Sequence, residues 1–153
     1  WRRYFHGVPL SFRSQRQGDW GARLTSALEE ALTKHDMVCV WPTHIPTLPS
    51  GILETAATLY PKALFTPERH GGVAFFSLAS IHATALKKIT AVRWQTPAAA
   101  ADFLKVLQAV GVPVVQRGRV SALRSVNDFP RVIRELEEKQ DSAALQALYN
   151  TLE

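Results

Sequence analysis

The stretch TPAAAADFLKVLQAVGVPVV, residues 96–115, constrains the fold more than any other part of the chain. Ala100, Phe103, Leu104, Leu107 and Val110 recur at helical spacing and make one apolar face. Thr96 is placed to cap that helix. Pro97 suits its first position, where a missing N–H costs nothing. Gly111 then supplies a left-handed stop, and Val112–Val115 reads as a strand. Helix, glycine and strand in that order is the return unit of an α/β fold.

The remaining elements are consistent with such a fold. Asp19 is an N-cap candidate for a helix whose stripe is Trp20, Leu24, Ala27, Leu28, Ala31 and Leu32. The MVCVW segment reads as a short buried strand closed by Pro42. Ser50 is a candidate cap for a helix that Pro61 ends. KALFT and GGVAFFSL, joined by a short turn, suggest an antiparallel hairpin. SIHATALKK reads as helical, and ITAVRW, Ile89–Trp94, as a further strand. Asp128 is a candidate cap for one final helix, and Asp141 or Ser142 for another. We therefore expect a single α/β domain with a mixed sheet of four or five short strands flanked by helices, and a helical C-terminal tail. Residues 1–18 would be an extended basic and aromatic lead-in, 19–127 the α/β core, and 128–153 a helical segment packed on it.

Of 153 residues, 46% are hydrophobic and 20% charged, enough apolar surface for a packed core. The net charge is +5, and Arg2, Arg3, Arg13, Arg16 and Arg23 stand against Asp19 alone at the N-terminal end. Such a balance favours acidic partners. One cysteine excludes an internal disulfide and favours a reducing, cytoplasmic setting. No apolar run approaches the roughly 18 residues of a membrane span. The opening WRRYFHGVPL has no start methionine and no signal-peptide core, as expected of a piece of a longer protein.

The motifs of familiar chemistries are missing. Neither phosphate-cradling glycine pattern occurs, and the HGG of His70–Gly72 reads as a turn that needs glycine. The five histidines and Cys39 never fall at metal-ligand spacing, so no metal or cofactor is expected. Cys39 lies between Val38 and Val40 and reads as a small apolar filler, not a nucleophile. Glu29–Glu30 and Glu137–Glu138 are neighbours on helices, about 100° apart, and cannot converge on a substrate. Asp102 sits early in its helix, where a carboxylate complements the dipole. In Arg93–Trp94, strand alternation would bury the tryptophan and expose the arginine.

WRRYFHGVPLSF, then DWGARLTSALEEAL, MVCVWPT and FLKVLQAVGVPVVQ form an ordered set. That order resembles segments lying downstream of the ATPase modules in sacsin-type giant chaperone-like proteins. The resemblance implies a non-catalytic neighbour of an ATPase, because the D-x-G-x-G loop of that module does not occur here.

These features predict a non-catalytic structural or protein-interaction module of a larger, chaperone-associated protein, with a protein as partner. The stiff Pro42–Pro49 loop is its first working surface. Expected contact residues are Trp41, His44, Arg69 and His70, with Arg2, Arg3, Arg13 and Arg16 for acidic groups. One alternative is a nucleic-acid-binding domain using Arg2, Arg3, Arg13, Arg16 and Arg93. Another is an enzyme with a site near His44, Arg69 and His70.

Overall fold

The computed structural model describes Ser11 and residues 13–150. Its helices are α1 (Trp20–Leu32), α2 (Ile52–Leu59), α3 (Leu86–Ile89), α4 (Ala99–Ala109), α5 (Phe129–Glu138) and α6 (Ser142–Tyr149). Its strands are β1 (Met37–Val40), β2 (Ala63–Pro67), β3 (Val73–Ala79) and β4 (Val114–Gln116). The sheet order is β1-β3-β2-β4. β3 runs antiparallel to β1 and β2, and β2 runs parallel to β4. So β1, β2 and β4 share one direction and end along one edge, where β3 begins. The protein is a single α/β domain with a mixed four-stranded sheet, as the sequence predicts.

Period-two alternation splits the core. Phe65 pairs with Phe76, and both face α1, α3 and α4 with Leu28, Leu86, Ile89 and Phe103. Leu64 and Phe75 face the other way, onto Ile52 and Ala56 of α2. Cys39 packs half-buried against this second group, and burial pushes its thiol pKa up. That fits a filler, because raising the pKa removes the reactive thiolate.

The predicted hairpin is present. Its turn docks on α4: Ala100 N–H donates to Gly71 O at 2.9 Å. Gly71 has φ +87°, and a Cβ there would lie 1.9 Å from Pro97 O. Only glycine permits this approach. Gly111, with φ +72°, ends α4 as predicted, while Val112 N–H donates back to Leu107 O at 2.9 Å.

Three local expectations are corrected. Ile89–Trp94 is not a strand: Ile89 ends α3, and turns follow. Ile89 and Val92, three apart, are spaced for a helical face, while Val92 and Trp94, two apart, are spaced for alternation, and the Trp94 indole N–H closes back on Ile89 O at 3.0 Å. Arg93 is nevertheless exposed and Trp94 half-buried. Second, Thr96 caps the turn before α4, accepting from Ala98 N–H at 3.2 Å and donating to Arg93 O at 2.7 Å. The helix starts at Ala99, its first turn satisfied by Gly71 instead. Third, no side chain caps α2 or α5. Gly51 holds the cap position of α2, and Asp128 turns back to accept from the N–H groups of Arg124 and Ser125. Asp141 does cap α6, accepting from Ala144 N–H at 3.1 Å.

Candidate functional site

A cavity of about 310 Å³ opens where β1 and β2 end and β3 begins. In open α/β sheets the crevice outside the carboxyl ends of the strands is the place where loops from several elements converge. Here α1 contributes Trp20, Arg23 and Leu24, and the exit from β1 contributes Trp41 and His44. The hairpin turn adds Glu68 and Gly72, and Trp94 and Gln95 come from the segment before α4. Arg124 completes the wall.

The aromatic side is fixed by packing. The Trp20 and Trp94 rings lie 4.6 Å apart, tilted by 45°, and Trp94 leans on Phe103 at 5.7 Å. Trp41 is different: it is 50% exposed, so a ring face is available to a ligand. The polar side centres on Glu68, only 1% exposed. Arg124 grips it with two parallel contacts, Nε to Oε1 at 3.1 Å and Nη2 to Oε2. A buried carboxylate needs such a fork to hold its charge. Gly72 makes room for it, since a Cβ there would lie 2.4 Å from Glu68 Oε2. Arg23, which also lines the cavity, has a buried Nε with no hydrogen-bond partner among the described residues.

The loop after β1 is more embedded than a free exit loop. Ile45 and Thr47 are buried. Thr47 Oγ1 donates to Ser121 O at 2.8 Å and accepts from Ser121 N–H at 3.1 Å. Leu123 N–H donates to His44 O at 2.8 Å. These bonds aim Trp41 and the His44 side chain at the cavity and leave only part of Pro42–Pro49 on the surface.

The expected contact residues therefore separate. Trp41 and His44 share the cavity. Arg69 and His70 sit on the hairpin turn and reach α5: Arg69 Nε meets Glu135 Oε2 at 3.5 Å, and Arg131 Nη1 donates to His70 Nε2 at 2.8 Å. Burial opposes the charge of Glu135, but Lys139 Nζ at 2.8 Å, with Arg69 behind it, holds the carboxyl below its usual range. Arg13 and Arg16 line an adjoining groove beside α1, with Lys34 and His35, which meets the cavity at Gln15, Arg23 and Ala27. Arg93 is clamped to Asp102, at 2.7 and 2.9 Å. Arg2 and Arg3 lie outside the described residues. No group of three or more His, Cys, Asp or Glu side chains suited to a metal occurs among the described residues. Among them, no helix is long and apolar enough to cross a membrane.

Sequence reasoning missed Glu68 and Arg124, which stand 56 positions apart. The available signal was a carboxylate directly following an uncharged strand, ALFTPE.

The fold places the chain among α/β proteins with a crevice at the strand ends. No protein-family model and no curated protein matches the sequence. Among solved structures, it is similar to a protein from Desulfovibrio desulfuricans G20 described as a candidate nucleotide-diphospho-sugar transferase, with a TM-score of 0.75 and 18% identity. The match covers 89% of this chain and 61% of that one, so this chain spans about three fifths of that protein's length. At that identity the likeness is one of fold.

Proposed function

We propose that this domain binds a nucleotide-type ligand in the crevice at the ends of β1 and β2. The observation that carries this is one cavity combining a half-exposed Trp41 with an unpartnered, buried Arg23 Nε. A base has a π-face to stack on an indole, a contact worth about 1–3 kcal/mol. A phosphate oxygen is a natural acceptor for a guanidinium N–H. His44 and Gln95 add polar contacts for a sugar. The Glu68–Arg124 pair builds the wall, and its charges offset one another. The nucleotide-sugar description of the D. desulfuricans structure is consistent with this reading.

Isothermal titration with uridine diphosphate and guanosine diphosphate tests it. Saturable binding is expected, and Trp41→Ala and Arg23→Ala should each weaken it about tenfold. Arg13→Ala, outside the cavity, should leave it unchanged. Absence of saturation at millimolar nucleotide, or equal affinity in all variants, would sink the proposal.

The exposure of Trp41 also favours a second reading, a protein-docking module. The sacsin-type resemblance would place such a module in a chaperone-associated parent. In that case Trp41→Ala would abolish capture of a partner segment while nucleotide affinity was absent from the unmodified domain.

A further inference from the structure

A second cleft lies on the opposite face of the sheet, beside α2. It has a volume of about 310 Å³ and is bordered by Ile52 and Thr55 of α2, Thr66 of β2, and the chain from Arg117 to Val120. Its shape comes from the end of the β2–β4 ladder. Arg117 N–H donates to Phe65 O at 2.8 Å. In an unbroken parallel ladder the N–H of Arg119 would serve Pro67 O next. Instead Val120 N–H does so, at 3.2 Å. One extra residue is accommodated, as in a β-bulge, and Gly118–Arg119 arches away from the sheet.

Three features set this arch apart. Arg117 and Arg119 both line the cleft, and neither has an ion-pair partner among the described residues. The N–H groups of Gly118 and Arg119 have no protein acceptor among the described residues. Thr66 lines the cleft at 1% exposure, and its buried hydroxyl has no hydrogen-bond partner among the described residues. Among the described residues no carboxylate lines the cleft. Lys139 stands at its rim, donating to Thr47 O at 2.7 Å and to Glu135. The arginines, the arch N–H groups and the Thr66 hydroxyl are therefore donors in excess beside the apolar Pro49, Ile52 and Val120, and what they lack is an acceptor with several oxygens.

We propose that this cleft is an anion site that takes a phosphate group, free or carried on a small ester. The two guanidinium groups meet its charge, the arch supplies backbone donors, and the Thr66 hydroxyl finds its acceptor in a phosphate oxygen. The site is independent of the crevice under Trp41, because the sheet separates them.

Amide NMR titration of the intact chain with inorganic phosphate and, in parallel, glycerol phosphate tests this. Saturable shifts of Gly118 and Arg119 by either probe are expected. Arg117→Ala combined with Arg119→Ala, both at exposed positions, should weaken binding about tenfold or more. Thr66→Val keeps the side-chain shape and should weaken it severalfold. Shifts that stay linear, shifts confined to Trp20, Trp41 and Trp94, or unchanged affinity in the arginine double variant would each overturn the proposal. So would binding only of a single-stranded oligonucleotide with steep salt dependence, the mark of an unshaped basic surface.

Discussion

Asp102 shows how one side chain can tie down a stretch that lacks regular structure. It accepts from Arg93 Nε and Nη2 and from the Arg93 backbone N–H at 3.2 Å. This clamp fixes the turn that carries Trp94 into the cavity wall. The guanidinium holds the Asp102 carboxyl at about 2, against an ordinary 3.8. A depressed carboxylate contributes stability above its ordinary pKa and loses it as pH falls through the folded value. The clamp is thus fully present at neutral pH and is lost as pH drops from 3.8 towards about 2. Asp102→Asn should lower Tm at neutral pH, and the difference from the unmodified protein should vanish at the acid end of that window. A gap in Tm that persists below the window would contradict this assignment. The carboxylate's place early in a helix was readable from the sequence. Its arginine partner was not, because Arg93 was expected on a strand, and only the turn brings it alongside.

The hairpin turn from Glu68 to Gly72 is the element on which the site depends. It presents Glu68 to Arg124, docks Gly71 on the start of α4, and reaches α5 through Arg69 and His70. Gly72→Ala would push a methyl group into Glu68 Oε2 and to within 3.2 Å of Arg124 Nη2. Leaving a buried carboxylate without its half-exposed arginine costs about 1–3 kcal/mol. Gly118→Ala has open space around its new Cβ and should change stability by less than about 0.5 kcal/mol. Urea unfolding of the two variants measures the contrast, and equal midpoints would refute the claim that Gly72 is kept small for the carboxylate. The sequence identified this turn as one requiring glycine. It gave no indication that the two glycines serve different neighbours, since Pro97 and Arg124 are distant in the chain.

For the molecule as a whole, Phe103 is an aromatic junction in the core. Phe103 contacts Phe65 at 5.5 Å, Phe76 at 4.7 Å and Trp94 at 5.7 Å, joining α4 to both strands of the hairpin and to the cavity wall. Phe103→Ala should cost about 3–5 kcal/mol, a large share of the roughly 5–15 kcal/mol that holds a domain together. Because Trp94 rests on this ring, near-ultraviolet circular dichroism should weaken with it. A stability loss below about 1 kcal/mol would show that the junction is not the centre of the core.

Local chemistry was enough to point to the α/β class, a hairpin, the α4–Gly111–β4 return and a cap at Asp141 or Ser142, of which the fold uses Asp141. Each follows from side-chain periodicity or from backbone preferences within a few residues. Ile89–Trp94 escaped such reasoning because its spacing satisfies two periods at once, and the Trp94 indole bond and the rings of Trp20 and Phe103 select between them. The binding regions escaped it for a different reason. Trp41 and His44 were legible as candidates, but Arg23, Glu68 and Arg124 come from a helix, a turn and a late loop. They become one cavity only because β1 and β2 end on the same edge of the sheet. Strand order and direction depend on which distant segments bury apolar surface together, and no local pattern encodes that choice.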